Sequence, residues 1–429
     1  MKNLSRLALG AAFLGFAGAA SAAPAETVLY SFKGSQHRDG NSPQSDLIAD
    51  ANGNLYGTTL AGGKRGGSGA GTVFQLTPTD DPDVWTETVI YDFKDGSDGA
   101  GPIAGLTMDN KGALYGTTEN GGAMNDGIVF RLLPPKTAGG NWRESVLYSF
   151  CAATDCADGA HPVAGVTLGK KGVLYGTTQF GGTGAFGANE GTAFQLTPPS
   201  TKGGAWTETV LHNFCDLFNC ADGFEPNEGR LLRTGNGVLY GVTTKSDSAG
   251  VIYSLTPSGG SYVQTVLHDF NLQTDGRAPL AGVVADKAGN LYGTTQSGGD
   301  NGCGTVFQLH GSGLQNLYSF CQNADHSDGA IPYAGVILTP GRHGLPSAIY
   351  GTTLTGDEAT NGGTVFKLTP GAAGHPWNET VLYSFCSQTD CTDGANPRFG
   401  PLLELNGAFY GTTQAGGSDT GGTVYKVTE

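Results

Sequence analysis

Between residues 103 and 150 short apolar runs alternate with turn-forming breaks. Ile103-Ala-Gly-Leu-Thr-Met108 gives way to Asn110-Lys-Gly112, then to Ala113-Leu-Tyr-Gly-Thr-Thr118, a Gly-rich loop, Ile128-Val-Phe-Arg-Leu132 and Trp142-Arg-Glu-Ser-Val-Leu-Tyr-Ser-Phe150. Runs this short, rich in β-branched and aromatic residues and bounded by Gly, Pro, Asn and Asp, predict a four-stranded antiparallel meander. No stretch after residue 22 carries a helical period. The unit then repeats. Leu-Tyr-Gly-Thr-Thr or a close variant places tyrosines at Tyr56, Tyr115, Tyr175, Tyr240, Tyr292, Tyr350 and Tyr410, at intervals of 59, 60, 65, 52, 58 and 60 residues.

One such sheet cannot bury both of its faces, so neighbouring units must stack. Seven sheets placed radially predict an all-β, seven-bladed β-propeller of four-stranded antiparallel blades, which also protects the strand edges. A β-solenoid would need much shorter coils, and neither end carries the polar capping repeat of an open array. The ends of the repeat predict how the ring closes. A fourth-strand sequence, Val28-Leu-Tyr-Ser-Phe32, precedes any first strand, and the chain stops on a third-strand sequence, Thr423-Val-Tyr-Lys-Val427. Residues 27–32 are therefore expected to pair with 422–428, making residues 23–429 a single monomeric domain.

Residues 1–22 read as a secretory signal peptide, with Lys2 and Arg6 before an apolar core at 7–17 and Ala20-Ser21-Ala22 as a cleavage site. That core is too short for a permanent span, and no second apolar stretch follows. A secreted or periplasmic address is expected. Removal of the segment leaves 23 − 2 = 21 basic against 38 acidic residues, a net charge of −17. Such a surface repels phosphate backbones, which argues against nucleic acid and anionic lipid as partners.

The eight cysteines follow the repeat. Cys151/Cys156, Cys215/Cys220 and Cys386/Cys391 share the spacing C-x4-C directly after a strand-ending Phe, while Cys303 and Cys321 flank a hairpin near Ser312. Four disulfides are expected of an exported chain, in preference to zinc, for which no matching pair or neighbouring His is at hand.

The pattern Asn-Leu-Tyr-Gly-Thr-Thr, then Gly-Gly, Gly-Thr-Val-Phe-Gln-Leu and Glu-Thr-Val-Leu-Tyr-Ser-Phe covers nearly all of residues 26–429 and resembles the GloVer tandem repeat of bacterial exported proteins. Pro279 to Tyr292 is also similar to repeats of NHL propellers. The resemblance implies propeller blades, and no assigned chemistry.

A residue present in every blade is scaffold, because one site does not need seven copies. The motif Tyr is expected to pack between sheets with its hydroxyl bonded, and its Gly to let a side chain approach the backbone. Trp85, Trp142, Trp206 and Trp377 are expected to cover their own hairpins. His212 and His268, where other blades have Tyr, read as surface substitutions. Asp-Gly pairs recur as turn caps. Those with a second Asp three residues earlier (Asp95/Asp98, Asp155/Asp158, Asp325/Asp328, Asp390/Asp393) are also calcium candidates, with too few ligands for an EF-hand loop.

Function is sought where the repeat varies. Residues flanking the recurrent Pro, before the innermost strand, differ in every blade and read as a ligand-facing rim. His161, Glu225, Asn227, Glu228, Tyr333, Asn396 and Arg398 are its candidates. The fourth blade departs furthest, with Glu225-Pro-Asn-Glu-Gly-Arg230 in place of the usual Ala-Gly-Val core. The expectation is a non-catalytic binding module or scaffold for a carbohydrate or another exported protein. The alternatives are a polysaccharide lyase or hydrolase using His161, Glu225 and Arg398, and a structural cell-surface component. No nucleophile elbow, zinc-protease pair or phosphate loop occurs.

Overall fold

The computed structural model describes residues 24–34, 37–64, 69–137, 139–271, 274–356, 360–372 and 376–429. The signal-peptide reading of residues 1–22 therefore lies outside the described residues. Seven antiparallel sheets follow one another around a ring, each running from an innermost to an outer strand. In blade 2 the strands are Thr107–Met108, Leu114–Thr118, Ile128–Leu133 and Arg143–Ser149. Blade 1 carries an additional edge pairing, Gly40–Pro43 against Leu55–Gly62. Blade 7 closes as the sequence predicts, with Ala25 opposite Thr428 and Ser31 opposite Thr423. Among the described residues no helix is long and apolar enough to cross a membrane.

The innermost strand is shorter than its apolar run suggested. Only Thr107 and Met108 pair with their own blade, while Ile103 to Leu106 form no ladder. Their bonding goes sideways instead. The first Thr of the motif in one blade donates its hydroxyl to the segment entering the innermost strand of the next: Thr58 to Ala104 O, Thr117 to Ala164 O, Thr294 to Ala334 O and Thr412 to Ser45 O, at 2.9–3.1 Å. Bonding between blades replaces bonding within one.

Further contacts lock every junction. The Phe ending each outer strand meets the third-strand aromatic of the next blade edge to face, from Phe32–Phe74 round to Phe385–Tyr425, at 4.7–5.3 Å. The motif glycine sits beneath that ring. A Cβ on Gly57 would lie 2.6 Å from the Phe74 ring, so only Gly fits. Trp85 and Trp142 stack edge to face on Tyr410 and Tyr56 of the preceding blades, at 6.2 and 6.0 Å. They thus cover a neighbour's tyrosine, although the Trp85 indole also donates to Pro82 O in its own hairpin. Motif tyrosines bond the hairpin Asp, as in Tyr56 to Asp50 and Tyr292 to Asp286.

The Asp-Gly carboxylates act as turn caps. Asp39, Asp98, Asp158, Asp328 and Asp393 accept from an outer-strand Tyr hydroxyl at 2.7–3.0 Å. His212 and His268 make the same contact with Asp222 and Asp275 at 3.2 and 3.1 Å, with side chains only 15% and 16% exposed. They are junction residues and not the surface substitutions expected, because imidazole reaches the turn carboxylate that phenol reaches elsewhere.

A second acid lies against each of five of these turns. Glu26, Glu87, Glu144, Glu208 and Glu379 each bury one carboxyl oxygen with no hydrogen-bond partner. Burial, and then the nearby turn Asp, pushes Glu26, Glu87 and Glu379 up to about 8 and Glu144 and Glu208 up to about 7. Blade 4 has Gln264 at this position, and its amide donates to Asp222 O at 2.8 Å. A protonated Glu presents the same donor as Gln.

All four disulfides form, Cys151–Cys156, Cys215–Cys220, Cys303–Cys321 and Cys386–Cys391, and no described cysteine is free. They suit an oxidising compartment.

Candidate functional site

Each residue before the recurrent Pro has a positive φ, from 51° at Glu225 to 65° at Gly101. Each donates its amide to a loop carbonyl of the preceding blade at 2.7–2.9 Å, for example His161 N to Asp126 O and Glu225 N to Glu190 O. The backbone here is a clasp between blades, so the side chain is free to vary. His161 pairs with Asp126 at 3.4 Å through Nε2 and donates from Nδ1 to Glu119 O at 3.1 Å. Glu225 pairs with Lys245 at 2.7 Å, and the Asn396 amide donates to Leu354 O at 3.0 Å. Among the described residues no hydrogen bond or ion pair joins His161, Glu225 and Arg398 to one another. Asn227 is half-buried beside Glu228 and does not line the central cavity.

Two blades break the channel wall. From Pro102 to Thr107, the residue paired with the motif Tyr, is five residues, and blades 1, 3, 5 and 6 keep that count. From Pro226 to Leu232 in blade 4, and from Pro397 to Leu403 in blade 7, is six. The inserted residue displaces the carbonyl that the preceding blade should bond. The hydroxyls of Thr177 and Thr352, one blade back in each case, are consequently buried without a partner. In the same two blades the third-strand Phe is replaced by Tyr253 and Tyr425, both fully buried, with hydroxyls directed over Gly241 and Gly411. The Tyr253 hydroxyl finds no hydrogen bond.

The side chains released by these insertions meet in the channel. Arg230 of blade 4 reaches across blades 3 and 2, donating to Thr107 Oγ1 at 2.8 Å and Leu106 O at 3.2 Å, and ends on Asp46 of blade 1 at 3.4 Å. This path requires bare backbone below it. A Cβ on Gly105 would overlap the Asp46 carboxylate, and one on Gly165 would lie 2.9 Å from the Arg230 guanidinium. From blade 7, the Arg398 guanidinium lies 5.0 Å from the Tyr333 ring centre and 4.3 Å from that of Phe399, and bonds Gln414 at 3.3 Å. Its Nε is buried and unpartnered.

Glu228 is the fourth member. Its Oε2 is shut off from solvent with no hydrogen bond. Burial pushes its carboxyl up to about 8, Arg398 pulling it down and Glu119 adding to the rise. Glu228, Asp46, Arg230 and Phe399 line one cavity of about 240 Å³ on the axis, with apolar walls that include Val163 and Val284. A cavity that small accepts a single sugar-sized ring. Its lining of carboxylic acid, carboxylate, guanidinium and aromatic edge suits a polyhydroxylated ligand.

The calcium candidates are occupied differently. Asp98, Asp158, Asp328 and Asp393 accept from backbone amides as well as Tyr hydroxyls, for instance Ala152 N and Ala153 N at Asp158, both at 3.0 Å. Their companions Asp95, Asp155, Asp325 and Asp390 are exposed. Among the described residues the side chains crowded at ligand spacing are Cys303, Cys321 and His326, and Asp126, Cys151 and Cys156. In both groups the sulfurs are joined as disulfides.

Of the residues the sequence singles out, Glu228 lines the cavity, and Tyr333 and Arg398 pack on Phe399 of its wall, whereas Asp46, Arg230 and Phe399 are not among the sequence candidates. A charged residue where four other blades have Gly (Gly105, Gly165, Gly282 and Gly335) was the available signal for the first two.

No curated protein matches the sequence. Among solved structures the chain is similar to a candidate 6-phosphogluconolactonase of Bacteroides uniformis, at 11% identity and a TM-score of 0.45, covering 79% of this chain and 84% of that one. It is also similar to a Dyadobacter fermentans protein of unknown function, at 11% identity and a TM-score of 0.41, covering 94% and 96%. Trypanosoma rangeli sialidase shows 9% identity and a TM-score of 0.43, covering 94% and 59%. The Gloeobacter/Verrucomicrobia repeat matches residues 18–188 and 187–425. With its seven blades spanned almost end to end, the chain belongs to the Gloeobacter/Verrucomicrobia repeat family.

Proposed function

We propose that the protein is an exported binding module that holds a carbohydrate at the mouth of its central channel. One observation carries this reading. Buried, unpartnered polar groups (Glu228 Oε2, Arg398 Nε and the Thr177 and Thr352 hydroxyls) occur where blades 4 and 7 depart from the repeat. Leaving such groups unmet costs about 1–3 kcal/mol each, and a hydroxyl-rich ligand in the cavity supplies a partner to Glu228, which lines it. Calcium at the Asp-Gly turns would be structural support for the rim and not part of this cavity.

The test exposes the mature chain to neutral, cationic and anionic polysaccharides, with and without calcium, scoring retention and released reducing or unsaturated ends. Retention without product is expected. It should weaken at least tenfold in Glu228→Ala and Arg398→Ala and stay unchanged in His161→Ala. Retention equal in all four proteins would overturn this siting, and no retention of any saccharide would turn the search to exported protein partners.

A hydrolase reading is favoured by one specific observation. Glu228, protonated at neutral pH, shares its cavity with a second carboxylate, Asp46, and an acid with a carboxylate is the donor set of glycoside hydrolysis. Released reducing ends that vanish in Glu228→Gln would establish it.

A further inference from the structure

The central cavity is unbalanced in one direction. Arg230, the cation that lines it, has partners, and Arg398, stacked on Phe399 of its wall, has partners everywhere but at Nε. Arg230 is bonded by Asp46, Thr107 and Leu106, and Arg398 is held over two aromatic rings and by Gln414. Asp46 is matched by Arg230. Glu228 alone presents a buried carboxyl oxygen with no partner. The charged groups that act on it are Arg398 from blade 7 and Glu119 from blade 2. Blades 3, 5 and 6 line the cavity with Val163, Gly165, Ala281, Gly282, Val283, Val284, Gly335 and Val336, none of which titrates. The rim around blades 2 to 4 adds Asp126, Glu190 and Glu225 against His161 and Lys245. The demand left open is for a positively charged hydrogen-bond donor.

We infer that the ligand of this cavity carries a primary amine, an amino sugar or a chain of them, and that its ammonium group sits against Glu228. The inference rests on the carbohydrate reading for the ring and on Glu228 for the amine. Entry of the ammonium converts Glu228 from carboxylic acid to carboxylate, and the displaced proton leaves to solvent, so charge and protons balance. A hydrogen bond between ammonium and carboxylate is about twice as strong as one between neutral groups. An N-acetylated sugar of the same ring size offers no charge and leaves the Glu228 proton in place. The overall acidity of the chain raises the local concentration of cations near the mouth.

The experiment is calorimetry at pH 6 in two buffers of different ionisation enthalpy, which reads both affinity and protons released. The probes are glucosamine, N-acetylglucosamine and, as a ring amine that is not a sugar, cyclohexylamine. Glucosamine should bind about tenfold or more tighter than N-acetylglucosamine and release up to about one proton, consistent with a group whose pKa is near 8. Glu228→Gln, which keeps size and hydrogen bonding, should abolish the proton release and the amine preference while leaving the melting temperature at pH 6 unchanged or raised. Cyclohexylamine binding with proton release, where both sugars fail, would uphold the amine and sink the carbohydrate reading. Equal binding of the two sugars without proton release would uphold the carbohydrate and overturn the amine.

Discussion

Blades 2 and 3 against blades 4 and 7 show what this ring keeps and where it departs. At the junction from blade 2 to blade 3, Thr117 bonds Ala164 O, Phe150 meets Phe194 edge to face, and Gly165 leaves the channel wall bare. At the junctions into blades 4 and 7 the same Thr is orphaned, the Phe is a Tyr, and a charged or aromatic side chain enters the channel. The departures come together because each forces the next. An added residue moves the innermost strand, which removes a carbonyl from the neighbour and turns side chains toward the axis. Blades 4 and 7 lie across the ring from each other, so their displaced groups face a common space. The regular blades supply rigidity, and the irregular pair supplies a cavity with unmet bonding.

The comparison is broken most severely from the regular side. Phe194→Ala removes a fully buried ring from a junction and should cost about 3–5 kcal/mol, read by denaturant unfolding. A loss below about 1 kcal/mol would mean that the junctions do not carry the ring. Acidity probes the same junctions next. Glu26, Glu87, Glu144, Glu208 and Glu379 rise from an unfolded value of 4.5 to about 7 or 8 when folded. Between those limits the folded chain holds protons the unfolded chain has lost, so their stabilisation is complete below about 4.5 and gone above about 8. Asp50, Asp222 and Asp286 are held below the usual carboxylate range, burial being outweighed by hydrogen bonds from neighbours such as Asn54, His212 and Asn290, and they work in the opposite sense at lower pH. The melting temperature should therefore peak near pH 5 and fall by several degrees toward pH 9. Replacing the five with Gln, as at Gln264, should flatten that fall; a slope left intact would refute the assignment.

Gly105→Ala addresses the crossing itself. Its Cβ displaces the Asp46 carboxylate, and the loss should be about 2 kcal/mol, part strain and part the broken pair with Arg230. The same substitution in Asp46→Ala should cost less, since the carboxylate it meets is gone. Smallest is Tyr253→Phe, which restores the regular residue and removes a buried hydroxyl with no partner. It should stabilise by up to about 1 kcal/mol, whereas Phe194→Tyr, at the equivalent place in a regular blade, should destabilise.

Much of this was legible in the residues. The Tyr-Gly-Thr-Thr spacing gives the blades, Val28 to Phe32 gives the closure, and the C-x4-C pairs give three of the four disulfides. These features repeat, and repetition makes a weak local signal readable. The site does not repeat. The insertion in blade 4 shows in the sequence, since Pro226 to Tyr240 is one residue longer than Pro162 to Tyr175. In blade 7 it is concealed, because the following hairpin, Leu405 to Ala408, is one residue shorter and the interval from Pro397 to Tyr410 stays normal. The partnership of Asp46 with Arg230 joins residues 184 apart across the axis, and no local pattern encodes it. His161 and Glu225 were conspicuous by residue type, yet they serve the clasps between blades, where backbone geometry matters and side-chain identity does not.

A single residue inserted in blade 4 turns a scaffold junction into one wall of the central cavity. Deleting Glu228 returns the spacing from Pro226 to Leu232 to five residues and removes the unpartnered acid. Saccharide binding and thermal unfolding would be measured together on that deletion and on the parent chain. The deletion should leave the melting temperature equal to or above the parent's, from the Thr177 hydroxyl regaining a carbonyl, and should abolish saccharide binding. A deletion chain that folds and still binds the saccharide as the parent does would contradict this.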